Sequence, residues 1–82
     1  IDLVAMSEHG IVVFIEVKTR TSIAFGHPLE AITRDKAYRL QKLALAWLTV
    51  HHRWGFEYRI DAAAVLISKG EKFEIDYRIA VL

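Results

Sequence analysis

The stretch Ile11-Val12-Val13-Phe14-Ile15-Glu16-Val17-Lys18 is built from β-branched and aromatic residues, with a carboxylate and an amine set near its end. That composition reads as a β-strand, and Ile1 to Ser7 upstream has the same character. Glu8-His9-Gly10 separates the two runs and supplies a glycine for a left-handed position, so the pair reads as a hairpin. Loop length sets its register. With these three residues as the loop, Ser7 faces Ile11, Val4 faces Phe14 and Asp2 stands opposite Glu16; one residue more or fewer would put the two acids on opposite faces. Glu16 and Lys18, two apart in one strand, share a face at a separation of about 7 Å. Asp2, Glu16 and Lys18 are therefore expected to converge.

Downstream, Thr19 to Thr33 reads as an irregular stretch, because Pro28 bars a central strand and Gly26 permits a tight turn. Thr33 is a good helix N-cap with Asp35 in the first turn, and Ala37, Leu40, Ala44, Trp47 and Leu48 recur as one apolar stripe, which predicts a helix to about His51. Gly55 breaks that pattern, Phe56 to Ile67 reads as a strand, Lys69-Gly70 as a turn and Phe73 to Ile79 as a last, alternating strand. The expected order is strand, strand, helix, strand, strand, an α/β arrangement. With 82 residues and 9.4 kDa there is room for one domain, spanning residues 1–82, and no repeat or low-complexity tract divides it. Ile1 opens directly in a strand-like run, so the chain is expected to begin inside a longer natural sequence.

Composition removes several function classes. No strictly apolar run exceeds six residues, against roughly 20 for a membrane-crossing helix, and no charged segment precedes an apolar one at the start, so a cytoplasmic protein without a membrane partner is expected. Without cysteine there is no disulfide, thiolate metal site or cysteine nucleophile. The net charge of +1 conceals an asymmetry: residues 1–17 carry three acids and no Lys or Arg, residues 18–42 carry six bases against two acids, and the remainder balances. Such a block suits either a polyanion-binding face or a solvated helix surface.

Hydrolysis of a phosphodiester with a divalent ion needs hard oxygen ligands, a basic group near the attacking water and positive charge to hold the polyanion. Asp2 and Glu16 would each offer a carboxylate to one Mg²⁺ or Mn²⁺, the Val17 carbonyl would complete a side of the octahedron, and Lys18 would orient the water. The competing reading is a cross-strand ion pair worth about 0.2–1 kcal/mol. Glu16 lies in an otherwise apolar strand, where an unpaired carboxylate costs several kcal/mol on the order-of-magnitude scale for buried charge, so a strong cationic partner is the better account. Arg20, Arg34, Lys36, Arg39 and Lys42 are either the wet side of the helix and its approach or a phosphate-binding set. Arg34 and Lys36 lie in the first helical turn, where the macrodipole repels cations, and a bound phosphate would resolve that conflict. His27 reads as an exposed loop residue, His51 and His52 as helix-terminal cations, Arg59 and Asp61 as an internal ion pair, and Trp47 and Trp54 as core or rim packing.

Ile1-Asp2-Leu3-Val4-Ala5, Val13-Phe14-Ile15-Glu16-Val17-Lys18-Thr19-Arg20, and Phe25-Gly26-His27-Pro28-Leu29-Glu30-Ala31-Ile32 with Lys36 ahead of an apolar helix together resemble the YraN-type family of predicted bacterial endonucleases. That family is similar to Holliday-junction resolvases and, through them, to the PD-(D/E)xK nucleases, whose signature is an acid on one strand and Glu-x-Lys on the next. The resemblance covers most of the chain. It implies a restriction-endonuclease-like mixed sheet with flanking helices, the N-terminal helix being absent from this chain. It also implies Asp2 and Glu16 as metal ligands, Lys18 as catalytic lysine, Mg²⁺ or Mn²⁺ as cofactor and DNA, branched DNA included, as substrate. A non-catalytic nucleic-acid-binding module, and a structural domain whose strand edges pair with a second copy as a homodimer, are the alternatives.

Overall fold

The computed structural model describes residues 1–21, 32–68 and 72–82. Its elements are β1 (Leu3–Met6), β2 (Val12–Arg20), α1 (Arg34–Val50), β3 (Tyr58–Ile67) and β4 (Phe73–Arg78), in the expected order. The strands form one sheet in the order β1-β2-β3-β4: β1/β2 antiparallel, β2/β3 parallel, β3/β4 antiparallel. The fold is thus α/β with a four-stranded mixed sheet, consistent with a restriction-endonuclease-like arrangement, and one helix flanks the sheet among the described residues. No described helix is long and apolar enough to cross a membrane.

The β1–β2 hairpin has the predicted register. Val4 pairs with Phe14 and Leu3 with Ile15, while the Ser7 amide donates to the Ile11 carbonyl at 2.9 Å. Gly10, at φ 80°, closes the three-residue loop, and Ser7 Oγ accepts from the amides of His9 and Ile11. The left-handed position is what the loop needs from a glycine.

Thr33 caps α1 as expected, its Oγ1 accepting from the Lys36 amide at 3.2 Å, and His51 is the C-cap. The helix crosses from β2 to β3 and lays Leu40, Ala44 and Leu48 on Val12, Phe14 and Ile60. Phe14, fully buried, meets the Trp47 and Tyr58 rings edge-on at 5.6 and 5.9 Å. Alternation along β2 puts Glu16 and Lys18 on this same helix-covered face, beyond the end of the apolar core. Their cross-strand neighbours are Ala62 and Ala64, whose single methyl groups leave room beside a carboxylate and an amine.

Boundaries differ from the sequence reading in ways that pairing explains. The second strand runs two residues past Lys18, because Thr19 and Arg20 continue the parallel ladder against Val65 and Leu66. The third starts at Tyr58 instead of Phe56, whose amide donates to the Arg53 carbonyl in a turn. The expected loop features at Phe25, Gly26, His27 and Pro28, and the turn at Lys69-Gly70, lie outside the described residues.

Candidate metal and phosphate site

Two strands and the helix start build the site. Asp2 precedes β1, whose paired residues begin with Leu3 opposite Ile15, and its amide donates to the carbonyl of that same Ile15 at 3.0 Å, which ties Asp2 to β2 one residue off the register of the ladder. Its Oδ2 accepts from the Val17 amide at 2.7 Å, so the carboxylate of one strand is fixed by the backbone of the other. The Val17 carbonyl points to the same edge as its amide by the alternation of the ladder, which keeps it a candidate oxygen ligand.

Glu16 is 8% exposed. Its Oε1 lies 3.3 Å from Lys18 Nζ, and its Oε2 is buried with no hydrogen-bond partner. A buried carboxylate oxygen without a hydrogen bond is under-satisfied and would be stabilised by a further cationic or donor partner. Among the described residues there is no group of three His, Asp or Glu side chains that would form a full protein cage. A Mg²⁺-type ion does not require one, since it keeps several waters and is commonly held by one or two carboxylates with substrate phosphate. Asp2 and Glu16 fit that donor set.

Lys36 enters from the first turn of α1 and brings its amine close to that of Lys18. That contact lifts Lys18 above the usual lysine range, with burial opposing and the Glu16 and Asp2 carboxylates adding to it. The same contact holds Lys36 below the usual range, aided by burial and by the charge of Lys18 and Arg39, with Glu16 opposing. Two ammonium groups cannot donate to each other, so their proximity disfavours the second of the two charges. The sequence reading placed Lys36 at the helix start as a phosphate contact but did not set it beside Lys18. The signal was there: a parallel crossover returns the helix N-terminus over the C-terminal end of the preceding strand.

The remaining basic residues are spread more widely. Arg20 is exposed at the end of β2, its Nη1 donating to the Thr19 carbonyl. Arg34 and Arg39 are exposed on α1, and Arg34 faces Arg78, Val81 and Leu82 across a cavity of about 310 Å³. Elsewhere the expected internal ion pair is present: Arg59 Nε donates to both Asp61 oxygens at 3.1 Å. Trp54 is largely exposed and lines a rim cavity with Leu45, Leu48 and Phe56.

Residues 1–65 match the sequence profile of the uncharacterised protein family UPF0102. The chain belongs to the UPF0102 family. This is the YraN family of predicted endonucleases that the motifs resemble. UPF0102 proteins of Beutenbergia cavernae and Renibacterium salmoninarum are 47% and 46% identical over 77 residues, covering 94% of this chain and 64% of each relative. The UPF0102 protein of Trichlorobacter lovleyi is 38% identical over 77 residues, 94% of this chain and 61% of its own length. The chain thus spans 61–64% of these relatives. No solved structure matches it significantly.

Proposed function

We propose that this UPF0102 chain is a metal-dependent nuclease domain that hydrolyses phosphodiester bonds in DNA, branched DNA included. The observation that carries the reading is the buried Glu16 Oε2 without a hydrogen-bond partner, with Lys18 at 3.3 Å from Oε1 on the same face of β2 and the Asp2 carboxylate held by the adjacent Val17 amide. Asp2, Glu16 and the Val17 carbonyl would hold Mg²⁺ or Mn²⁺. Such an ion, when bound, lowers the pKa of a water and offsets charge on a phosphoryl oxygen. Lys18 Nζ, held by Glu16 Oε1, orients the attacking water and steadies the charge on the phosphoryl oxygens as water attacks phosphorus in line. Lys36, whose charged form is disfavoured by Lys18, would be stabilised in that form by an approaching phosphate, because an added anion offsets the repulsion. Arg20, Arg34 and Arg39 hold flanking phosphates.

The test is cleavage of linear and four-way DNA with Mg²⁺ or Mn²⁺, comparing the unmodified chain with Glu16→Ala and Lys18→Ala. Cleavage by the unmodified chain alone supports the reading. DNA binding by every form with cleavage by none overturns it in favour of the non-catalytic module.

A further inference from the structure

A second feature, independent of the nuclease reading, lies at the other side of the sheet. Among the described residues β4 is its terminal strand, and the Ser68 amide donates to the Lys72 carbonyl at 2.8 Å at the start of the β3–β4 ladder. In an antiparallel ladder the backbone groups of alternate residues point to alternate sides. Lys72, Glu74, Asp76 and Arg78 therefore spend theirs on β3, and the amides and carbonyls of Phe73, Ile75 and Tyr77 point outward along the edge. β1, the opposite edge, is only four residues long and adjoins the Asp2 site.

The outward-bonding residues also carry the apolar side chains. Phe73, Ile75 and Tyr77 are 65%, 59% and 43% exposed, on the face opposite α1. An edge that is both apolar and unpaired is a template for another strand. The helix-side residues alternate with them as Glu74, Asp76, Arg78, a run that is complementary to itself when reversed.

We propose that β4 is a self-association edge on which a second copy of this chain pairs antiparallel, its two-fold axis passing through Asp76. In that register Ile75 stands opposite the partner's Tyr77, and Glu74 opposite the partner's Arg78, twice over. Shifting the axis to Ile75 would set Glu74 against an aspartate. Shifting it to Tyr77 would align only three strand residues and draw in Ala80, whose φ of 53° takes it out of extended pairing. The two Asp76 carboxylates that meet at the axis are each already offset by their own Arg78, which donates from Nε at 3.0 Å and Nη2 at 2.9 Å. Tyr77 is pre-set for the seam, since its hydroxyl donates to Asp61 at 2.6 Å.

The chain has no cysteine, so single cysteines report the register directly. Residues meeting at a non-hydrogen-bonded pair lie about 4.5 Å apart at Cα, within disulfide reach. Asp76→Cys is expected to oxidise to a covalent dimer, Glu74→Cys alone to stay monomeric, and a mixture of Glu74→Cys and Arg78→Cys to cross-link to each other. Sedimentation of the unmodified chain should show a dimer that dissociates on dilution. Ile75→Pro, which removes an outward N–H and no ladder bond to β3, should weaken it at least tenfold with circular dichroism unchanged. A chain monomeric at every concentration, a folded Asp76→Cys that fails to cross-link, or equal cross-linking by Glu74→Cys alone would overturn the proposal; a face-to-face packing of sheets would give the second result.

Discussion

At the residue scale the most heavily committed side chain is Asp61, not a member of the candidate site. It is fully buried, and it accepts from Arg59 Nε, from the Tyr77 hydroxyl at 2.6 Å and from the Ala80 amide at 2.8 Å. Burial alone would push its carboxyl up; the Ala80 amide, the Tyr77 hydroxyl and the Arg59 guanidinium outweigh that and hold it below the usual aspartate range. A depressed carboxylate stabilises the fold fully above its unfolded pKa, about 4, and the contribution is lost as pH falls through the folded value. Asp61→Ala is therefore expected to cost about 3 kcal/mol at pH 7, by the scale for breaking a buried pair, with the gap to the unmodified chain narrowing below about pH 4 in urea titrations. The Lys18–Lys36 pair makes a second prediction of the opposite sense. Lys36 is lowered by its contact with Lys18 first of all. Lys18→Met should return it toward the ordinary lysine range, read by carbon-13 titration of the lysine ε-methylenes. An unchanged Lys36 titration would mean that the two amines do not touch in solution.

At the scale of elements, α1 serves two ends. Its Thr33 cap fixes where Lys36 enters the site, and its Ala44, fully buried against the sheet, sets how closely the helix lies on Phe14 and Ile60. Thr33→Ala should cost about 1 kcal/mol, the usual value for a lost cap, and Ala44→Leu about 1–3 kcal/mol from overpacking, both measured by chemical denaturation. These elements were legible because each carries a local signal: the glycine-closed loop fixed the hairpin register from Leu3 to Ser7, and the cap and apolar stripe fixed α1. The Arg59–Asp61 pair followed from strand parity. Contacts between elements distant in sequence were harder to see. That Arg59 and Asp61 would also bind Tyr77 and the Ala80 amide depends on the β3–β4 register, which no tight turn signature pins. The meeting of Lys18 and Lys36 depends on how α1 crosses the sheet, which periodicity does not encode. Arg20 was read as loop because parallel pairing with Leu66 is likewise non-local.

At the scale of the whole molecule, a slab 44 × 29 × 17 Å, the thickness of a sheet and one helix layer, carries its acids and bases at the same place. Asp2 and Glu16 lie near Lys18 and Lys36, so a polyanion approaching these bases also meets two carboxylates, while Arg20, Arg34 and Arg39 are exposed more widely on β2 and α1. This gives opposed effects that an ion would decide. Without a divalent ion the carboxylates repel phosphate, and the double variant Asp2→Asn, Glu16→Gln should bind duplex DNA more tightly than the unmodified chain. With Mg²⁺ or Mn²⁺ held between them the repulsion is offset, and the advantage of the variant should vanish or reverse. The bases are read separately through salt. Each phosphate neutralised contributes about −0.9 to the slope of log K against log salt, so Arg34→Gln with Arg39→Gln should flatten that slope by about 2. A slope insensitive to these arginines would place the DNA elsewhere on the surface. An affinity gain of the acid-neutralised variant that is the same with and without divalent ion would mean that Asp2 and Glu16 are two surface acids and not ligands.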